Sequence, residues 1–115
     1  MSDGPAGRGH MSAIHYLLRR GETARWHRID AVELWLFHGG CPLVLETAHG
    51  DETTQRAILG LDLASGHRPQ AAIAAGVWQR AWLLPEGRGD WSLMSCTVAP
   101  GFTFDHWELA GPDNA

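Results

Sequence analysis

The sequence predicts an all-β domain, built as a small antiparallel β-barrel or sandwich. Eight short apolar or alternating runs follow one another at close, regular spacing along the chain, which is typical of these architectures. Turn-forming residues separate the runs, and no segment has the pattern of an amphipathic helix. The 115 residues are enough for one hydrophobic core but not for two, so we expect a single domain.

The first half of the chain supplies five of the predicted strands. Residues 1–11 contain glycine and proline without periodicity, and we expect them to form a flexible arm. A glycine or an aspartate stands in each of the turns that follow, where such residues favour a reversal of the chain. The strands are predicted over 13–18, 24–29, 32–38, 43–48 and 53–59, with turns at 19–22, 30–31, 39–42 and 49–52.

The second half supplies three more strands. We expect residues 60–66 to form a loop that crosses one end of the barrel. Gly76 permits a sharp reversal after the sixth strand, and a polar turn separates the seventh strand from the eighth. These strands are predicted over 69–74, 77–84 and 91–98; residues 102–109 are predicted to be a short packed tail, and 111–115 a flexible end.

Charge and cysteine content narrow the class of protein. The net charge of -4 provides no basic field for a phosphate backbone, so we expect no nucleic-acid partner. No apolar run approaches the roughly 20 residues that span a bilayer, so no membrane partner is expected. Cys41 and Cys96 have no CxxC spacing, and no secretory signal is recognisable. Free thiols and a cytoplasmic location are therefore predicted.

The stretch from 21 to 40 contains two ionisable residues inside apolar runs, His27 and Glu33. We interpret it as two strands of an antiparallel hairpin that turns at Asp30 and Ala31. Side chains alternate between faces along a strand, so equivalent positions across the turn share a face. This predicts that His27 and Glu33 meet in one cavity.

The same stretch resembles the first motif of the cupin superfamily. Gly21, His27, Glu33 and Gly40 have the spacing of that motif, whereas Ile29 stands where a second ligand histidine is usual. Residues 74–79 are similar to the second motif, with alanine at 74 in place of its proline and Gln79 in place of its histidine.

More specifically, the chain resembles a short branch of largely uncharacterised proteins often labelled "cupin five". The matching runs lie at 26–35, 59–70, 76–79, 98–102 and 108–110. The resemblance implies a double-stranded β-helix, or jelly roll, over residues 12–110, with an open pocket and a homodimer formed through sheet edges and outward residues such as Leu34 and Leu36. Typical members carry an additional N-terminal segment of a few dozen residues, and we expect that this chain starts after it.

The resemblance also places His27, Glu33 and Gln79 where metal-binding cupins hold their ligands. Together they offer one imidazole, one carboxylate and one amide, and amide oxygens are weak ligands for transition metals. We therefore expect no metal or other cofactor. A metal-dependent dioxygenase or lyase that binds a divalent transition metal through these three residues is the alternative.

Without a metal, the pocket residues are suited to proton transfer. Burial raises the pKa of a carboxyl group and a nearby imidazolium lowers it, so such a pair can be poised near neutral pH. We predict that Glu33 is the general base, His27 the general acid or an electrostatic stabiliser, and Gln79 a hydrogen-bonding group for the ligand.

Three further residues complete the predicted ligand site. Arg25 is expected to attract a carboxylate or phosphate, Trp35 to stack on a planar or sugar-like ligand, and Phe37 to contact the ligand. By fold analogy with sugar-nucleotide epimerases we expect a cofactor-independent isomerase or epimerase for a polar, carbonyl-bearing or sugar-like substrate. A non-catalytic small-molecule binding protein is the remaining alternative, with His27 and Glu33 as a structural pair.

Overall fold

The computed structural model of the chain describes residues 9–50, 53–101 and 107–109. These residues form two antiparallel sheets that pack face to face, so the predicted all-β sandwich or jelly roll is confirmed. In chain order the strands are β1 (Ser12–Arg19), β2 (Thr23–Ile29), β3 (Val32–Gly40), β4 (Leu43–Ala48), β5 (Thr54–Leu59), β6 (Gln70–Ile73), β7 (Trp78–Leu83), β8 (Trp91–Ala99) and β9 (Trp107–Leu109).

The first sheet has the strand order β1-β8-β3-β6, and the second has the order β5-β4-β7-β2-β9. Each of the eight predicted strands is present, with ends shifted by a residue or two. The predicted tail contributes β9, and the predicted loop 60–66 contains one short 3-10 turn, Leu63–Ser65. The arm at residues 1–8, the end at 111–115 and part of the turn at 49–52 lie outside the described residues.

One predicted pairing is wrong, because β2 and β3 do not form a hairpin. β2 pairs with β7 and β9 in the second sheet, whereas β3 pairs with β6 and β8 in the first. The chain crosses from one sheet to the other at Asp30 and Ala31, beside a small buried cluster of Ile29, Ala31 and Val98. Strand alternation alone does not distinguish a hairpin from such a corner, because both reverse the chain between two strands.

The core lies between the two sheets. Four of its large apolar side chains are at most 1% exposed, namely Trp35, Leu43, Leu59 and Met94, and Phe37 belongs to the same cluster. In the part of the chain that the structure describes, no helix is long and apolar enough to span a bilayer.

Strand β7 is fixed from the outer face of the second sheet as well as from the core. Glu46, which is 3% exposed, accepts hydrogen bonds from Arg80 at 2.6 Å and from Arg56 at 2.7 Å. Burial by itself would raise the pKa of Glu46, but the two arginines hold it below its usual value. The Arg80 guanidinium also lies over the rings of Trp26 and Trp82. This anchoring matters for the site because the residue before Arg80 is Gln79.

The backbone conformation at Gly40, the last residue of β3, leaves no room for a side chain. Its φ of 87° lies in the left-handed region, and an added Cβ would stand 2.3 Å from the carbonyl oxygen of Trp91. We expect Gly40→Ala to lower the free energy of unfolding by about 2–4 kcal/mol, because backbone strain and overpacking both contribute.

The matched control is Gly21→Ala. Gly21 has a φ of 90° but no atom within 4 Å of the added Cβ, so only the conformational cost of about 1 kcal/mol is expected. Urea denaturation of both variants checks the prediction. Equal losses of stability would show that the contact with Trp91 does not matter.

Candidate functional site

An open cavity of about 690 Å³ lies between the two sheets. Five strands contribute to its wall, from both sheets, and apolar side chains form most of the lining. The lining residues are Ser12, Ile14, Tyr16, Thr23, Ala24, Arg25, His27, Ile29, Glu33, Trp35, Cys96, Val98, Trp107 and Leu109. The volume falls within the range of about 300–1,000 Å³ that is usual for small-molecule sites.

Glu33 is held in this cavity by two hydrogen bonds in series. The Trp35 indole Nε1 donates to Gln79 Oε1 at 2.9 Å, and Gln79 Nε2 donates to Glu33 Oε1 at 2.6 Å. An indole N–H can only donate, so it fixes the amide with its oxygen toward Trp35 and its NH₂ toward Glu33. The three side chains are at most 5% exposed. The carboxyl group is therefore both oriented and almost free of bulk water.

The environment favours the protonated form of Glu33. Burial raises the pKa of this carboxyl group, and hydrogen bonding, chiefly from Gln79, offsets only part of that rise. Burial also raises the pKa of the Cys96 thiol, and the neighbouring Glu33 raises it further. Cys96 is thus a protonated neighbour of Glu33 at neutral pH rather than a nucleophile.

His27 lines the same cavity as Glu33, as the sequence predicted, although the two strands belong to different sheets. Its Nδ1 lies 2.6 Å from the carbonyl oxygen of Arg25. Because a carbonyl only accepts, the ring proton is on Nδ1 and Nε2 carries the lone pair. Burial lowers the pKa of His27. A neutral imidazole that accepts through Nε2 fits these contacts better than the predicted general acid or charged stabiliser.

The other predicted site residues separate into two groups. Arg25 and Trp35 line the cavity. Phe37 is buried in the core cluster and is not part of the lining. Gln79 is 1% exposed and lies behind Glu33, so it contacts the carboxyl group rather than the space where a ligand would lie.

Sequence reasoning missed Tyr16, Cys96 and the apolar wall. Cys96 lies opposite Trp35 in the register of β3 and β8, and Tyr16 packs edge-on against the Trp35 ring with centroids 5.9 Å apart. Burial raises the pKa of Tyr16 as well. The alternation within β1 and β8 could have shown which residues share a face, but only the pairing of β8 with β3, and of β1 with β8, shows that this face meets the cavity.

The donor set does not fit a resident metal ion. Both ends of the Gln79 amide are already hydrogen-bonded inside the protein, which leaves His27 and Glu33 of the three residues that the resemblance aligned with metal ligands. Within residues 9–50, 53–101 and 107–109, no three His, Cys, Asp or Glu side chains are grouped so that they could hold a metal. Protein metal sites commonly use three or more side chains.

The raised pKa of Glu33 has a measurable effect on stability. Above the ordinary value of 4.5, the unfolded chain loses this proton while the folded protein keeps it, so stability falls with rising pH until the folded pKa is passed. We expect Glu33→Gln to gain stability relative to the wild type over that window, with a constant difference above it. Urea denaturation between pH 4 and 8 checks this; a difference that shrinks as the pH rises would contradict it.

Comparison with known protein families gives a match over nearly the whole chain. The family model described as "Cupin_5: Cupin superfamily (DUF985)" matches residues 2–110. A search of curated proteins found no match.

Solved structures give the same result. Protein SO0799 from Shewanella oneidensis is similar with 37% sequence identity and a TM-score of 0.88, over 98% of this chain and 69% of that one. A hypothetical protein from Leishmania major has 23% identity and a TM-score of 0.88, over 98% of this chain and 73% of that one. Oxalate decarboxylase from Bacillus subtilis shares the fold at 12% identity, with a TM-score of 0.69 over 87% of this chain and 24% of that one.

Proposed function

The chain belongs to the cupin superfamily, in the family DUF985, and we propose that its cavity binds a carbonyl-bearing small molecule and exchanges a proton with it through Glu33. The reaction class is a cofactor-independent isomerase or epimerase.

The observation that carries this proposal is the state of Glu33. It is 5% exposed, yet it lines an open cavity and is oriented by Gln79 at 2.6 Å. An ordinary carboxylate is a weak base, whereas a carboxylate whose pKa is raised by burial takes a proton from carbon more readily near neutral pH.

The proposed step is a transfer of one proton. The ionised form of Glu33 takes a proton from a carbon next to the substrate carbonyl, and the electrons of that C–H bond move into an enolate. Return of this proton to the same carbon after the enolate has turned its other face to Glu33 epimerises the substrate, and return to the γ-carbon of a dienolate moves a β,γ double bond into conjugation with the carbonyl. Tyr16 lines the cavity, and its hydroxyl is the donor that we assign to the enolate oxygen. His27, with its Nε2 lone pair, accepts a hydrogen bond from a substrate hydroxyl.

The apolar lining favours a less polar substrate than the sugar-like compound expected from the sequence. A sugar needs many hydrogen-bonding partners, whereas most of the cavity wall is apolar, with Ile14, Ile29 and Val98 among its residues. Buried apolar surface favours an apolar substrate body. We therefore propose a carbonyl compound with few hydroxyl groups in place of a sugar.

A non-catalytic binding protein is the second candidate, and the same apolar wall favours it. The test that separates the two is proton exchange with solvent. The wild-type protein is incubated in D₂O with a panel of ketones, oxo acids and keto sugars, and deuterium uptake next to the carbonyl is followed by ¹H NMR. We expect uptake with apolar members of the panel. If members of the panel bind but none of them takes up deuterium, the protein is a non-catalytic binding protein.

A further inference from the structure

Arg25 differs from the other arginines on the strands because it has no carboxylate partner among the described residues. Arg28 donates to Glu108 at 2.7 Å, and Arg56 and Arg80 both pair with Glu46. The side chain of Arg25 has no hydrogen bond or ion pair to any described residue, and it lines the cavity from an exposed position. A cation is thus available where a ligand would enter.

The surroundings of the cavity entrance are apolar rather than polar. Ile14 is 60% exposed and Leu109 is 37% exposed, although both line the cavity. Apolar surface that remains in contact with water at a concave site is typical of a site that an apolar ligand covers. Ile29 and Val98 continue this surface further in, where both are 5% exposed.

Arg25 also gives the cavity a fixed positive charge. The titratable residues that share the lining are Tyr16, His27, Glu33 and Cys96, and burial moves the pKa of each toward its uncharged form. An arginine keeps its charge at any physiological pH. A neutral or cationic ligand would leave this guanidinium without a partner, whereas an anionic group would pair with it.

We propose that the ligand of this cavity is an apolar monocarboxylate, whose carboxylate pairs with Arg25 at the entrance while its hydrocarbon body lies along the apolar wall toward Glu33. This rests on the proposal above that the cavity binds a small molecule, and it adds that the reactive carbonyl and the carboxylate are at opposite ends of the substrate. A carboxylate fits one guanidinium, which can bind it through two parallel hydrogen bonds. A phosphate usually collects several cationic or N–H donors, and the described part of the lining offers one arginine.

Binding of matched eight-carbon probes tests the charge of the ligand. Octanoate, 1-octanol, octylamine and octyl phosphate are titrated into the full chain by calorimetry at low ionic strength. We expect octanoate to bind about tenfold more tightly than 1-octanol, which is the effect of one charge-assisted contact at a partly exposed position. Octylamine is expected to bind more weakly than 1-octanol.

Variants then show whether Arg25 is responsible. Arg25→Ala is expected to remove the preference for octanoate over 1-octanol while leaving 1-octanol binding unchanged, and Arg25→Lys to keep part of the preference. Arg68→Ala is the control, because Arg68 is exposed and lies outside the cavity lining. Equal affinities for octanoate and 1-octanol, tighter binding of octyl phosphate than of octanoate, or no binding of any probe would each overturn the proposal.

The failure of this inference and the failure of the proposed reaction can be told apart. Deuterium exchange that depends on Glu33, combined with no preference for the anionic probe, would reject the carboxylate alone. Octanoate binding that depends on Arg25, without exchange into any carbonyl compound, would reject the reaction and keep the ligand class.

Discussion

Replacing Glu33 with glutamine is expected to lower the rate of deuterium exchange into a carbonyl substrate by about 10²–10⁴-fold, the range that one general acid or base contributes. Glutamine has nearly the same shape and can still accept the hydrogen bond that Gln79 donates to Glu33 at 2.6 Å. The variant should therefore fold and keep its ligand affinity. NMR exchange rates and calorimetric titration of the same ligand separate catalysis from binding.

The matched control is Glu22→Gln. Glu22 is an exposed carboxylate outside the cavity, paired with Arg19 at 3.1 Å, so its loss should leave exchange unchanged. Exchange at the wild-type rate in Glu33→Gln, with the fold intact, would mean that another group carries the proton.

The second large effect is expected from Gln79→Leu. Leucine fills a similar volume but removes the hydrogen bonds that Gln79 makes to the Trp35 indole N–H and to the Glu33 carboxyl group in a buried site. Each lost hydrogen bond to a buried group costs about 1–3 kcal/mol, so we expect the two together to lower the free energy of unfolding by roughly 2–6 kcal/mol. Because the hydrogen bond from Gln79 lowers the pKa of Glu33, its loss should also raise that pKa further and move the pH dependence of exchange upward.

Gln55→Leu is the control for this substitution. Gln55 is exposed on strand β5, at the edge of the second sheet, and a surface change of this kind usually alters stability by less than about 0.5 kcal/mol. Urea denaturation and a pH profile of exchange check both variants. Loss of stability with an unchanged pH profile would limit Gln79 to a structural role.

Strand positions could be predicted from the sequence because each strand has its own local pattern. Glycine and aspartate in the turns, together with alternation between them, located β1 to β8 within a residue or two. The pairing of strands could not be predicted in the same way, because it depends on contacts between distant segments. Asp30 and Ala31 form a corner between sheets, although their local pattern is equally typical of a hairpin.

The site was predictable on the two strands that carry the motif residues. His27 and Glu33 line the same cavity, and Arg25 and Trp35 join them because they lie on the same two strands. Phe37 is on the same face of its strand as Glu33 but lies among the core residues. Alternation predicts the face of a strand that a residue occupies, but not whether that part of the face meets the cavity or the core.

Cys96 shows the complementary limit. It reaches the cavity only because β8 pairs with β3, which no motif in the sequence indicates. Only the structure therefore shows which residues of a strand without a motif line the pocket.

The central claim is that Glu33 is a buried carboxyl group poised for proton transfer, and a direct titration of this group tests it without knowledge of the substrate. The protein is labelled with ¹³C at the glutamate side-chain carboxyl carbon, and the signal of Glu33 is assigned by its absence in Glu33→Gln. We expect its midpoint to lie above 4.5, the ordinary value for glutamate, and above the midpoints of the exposed glutamates. A midpoint at or below the ordinary value would show that the carboxylate is stabilised in its ionised form, and would contradict its assignment as the base.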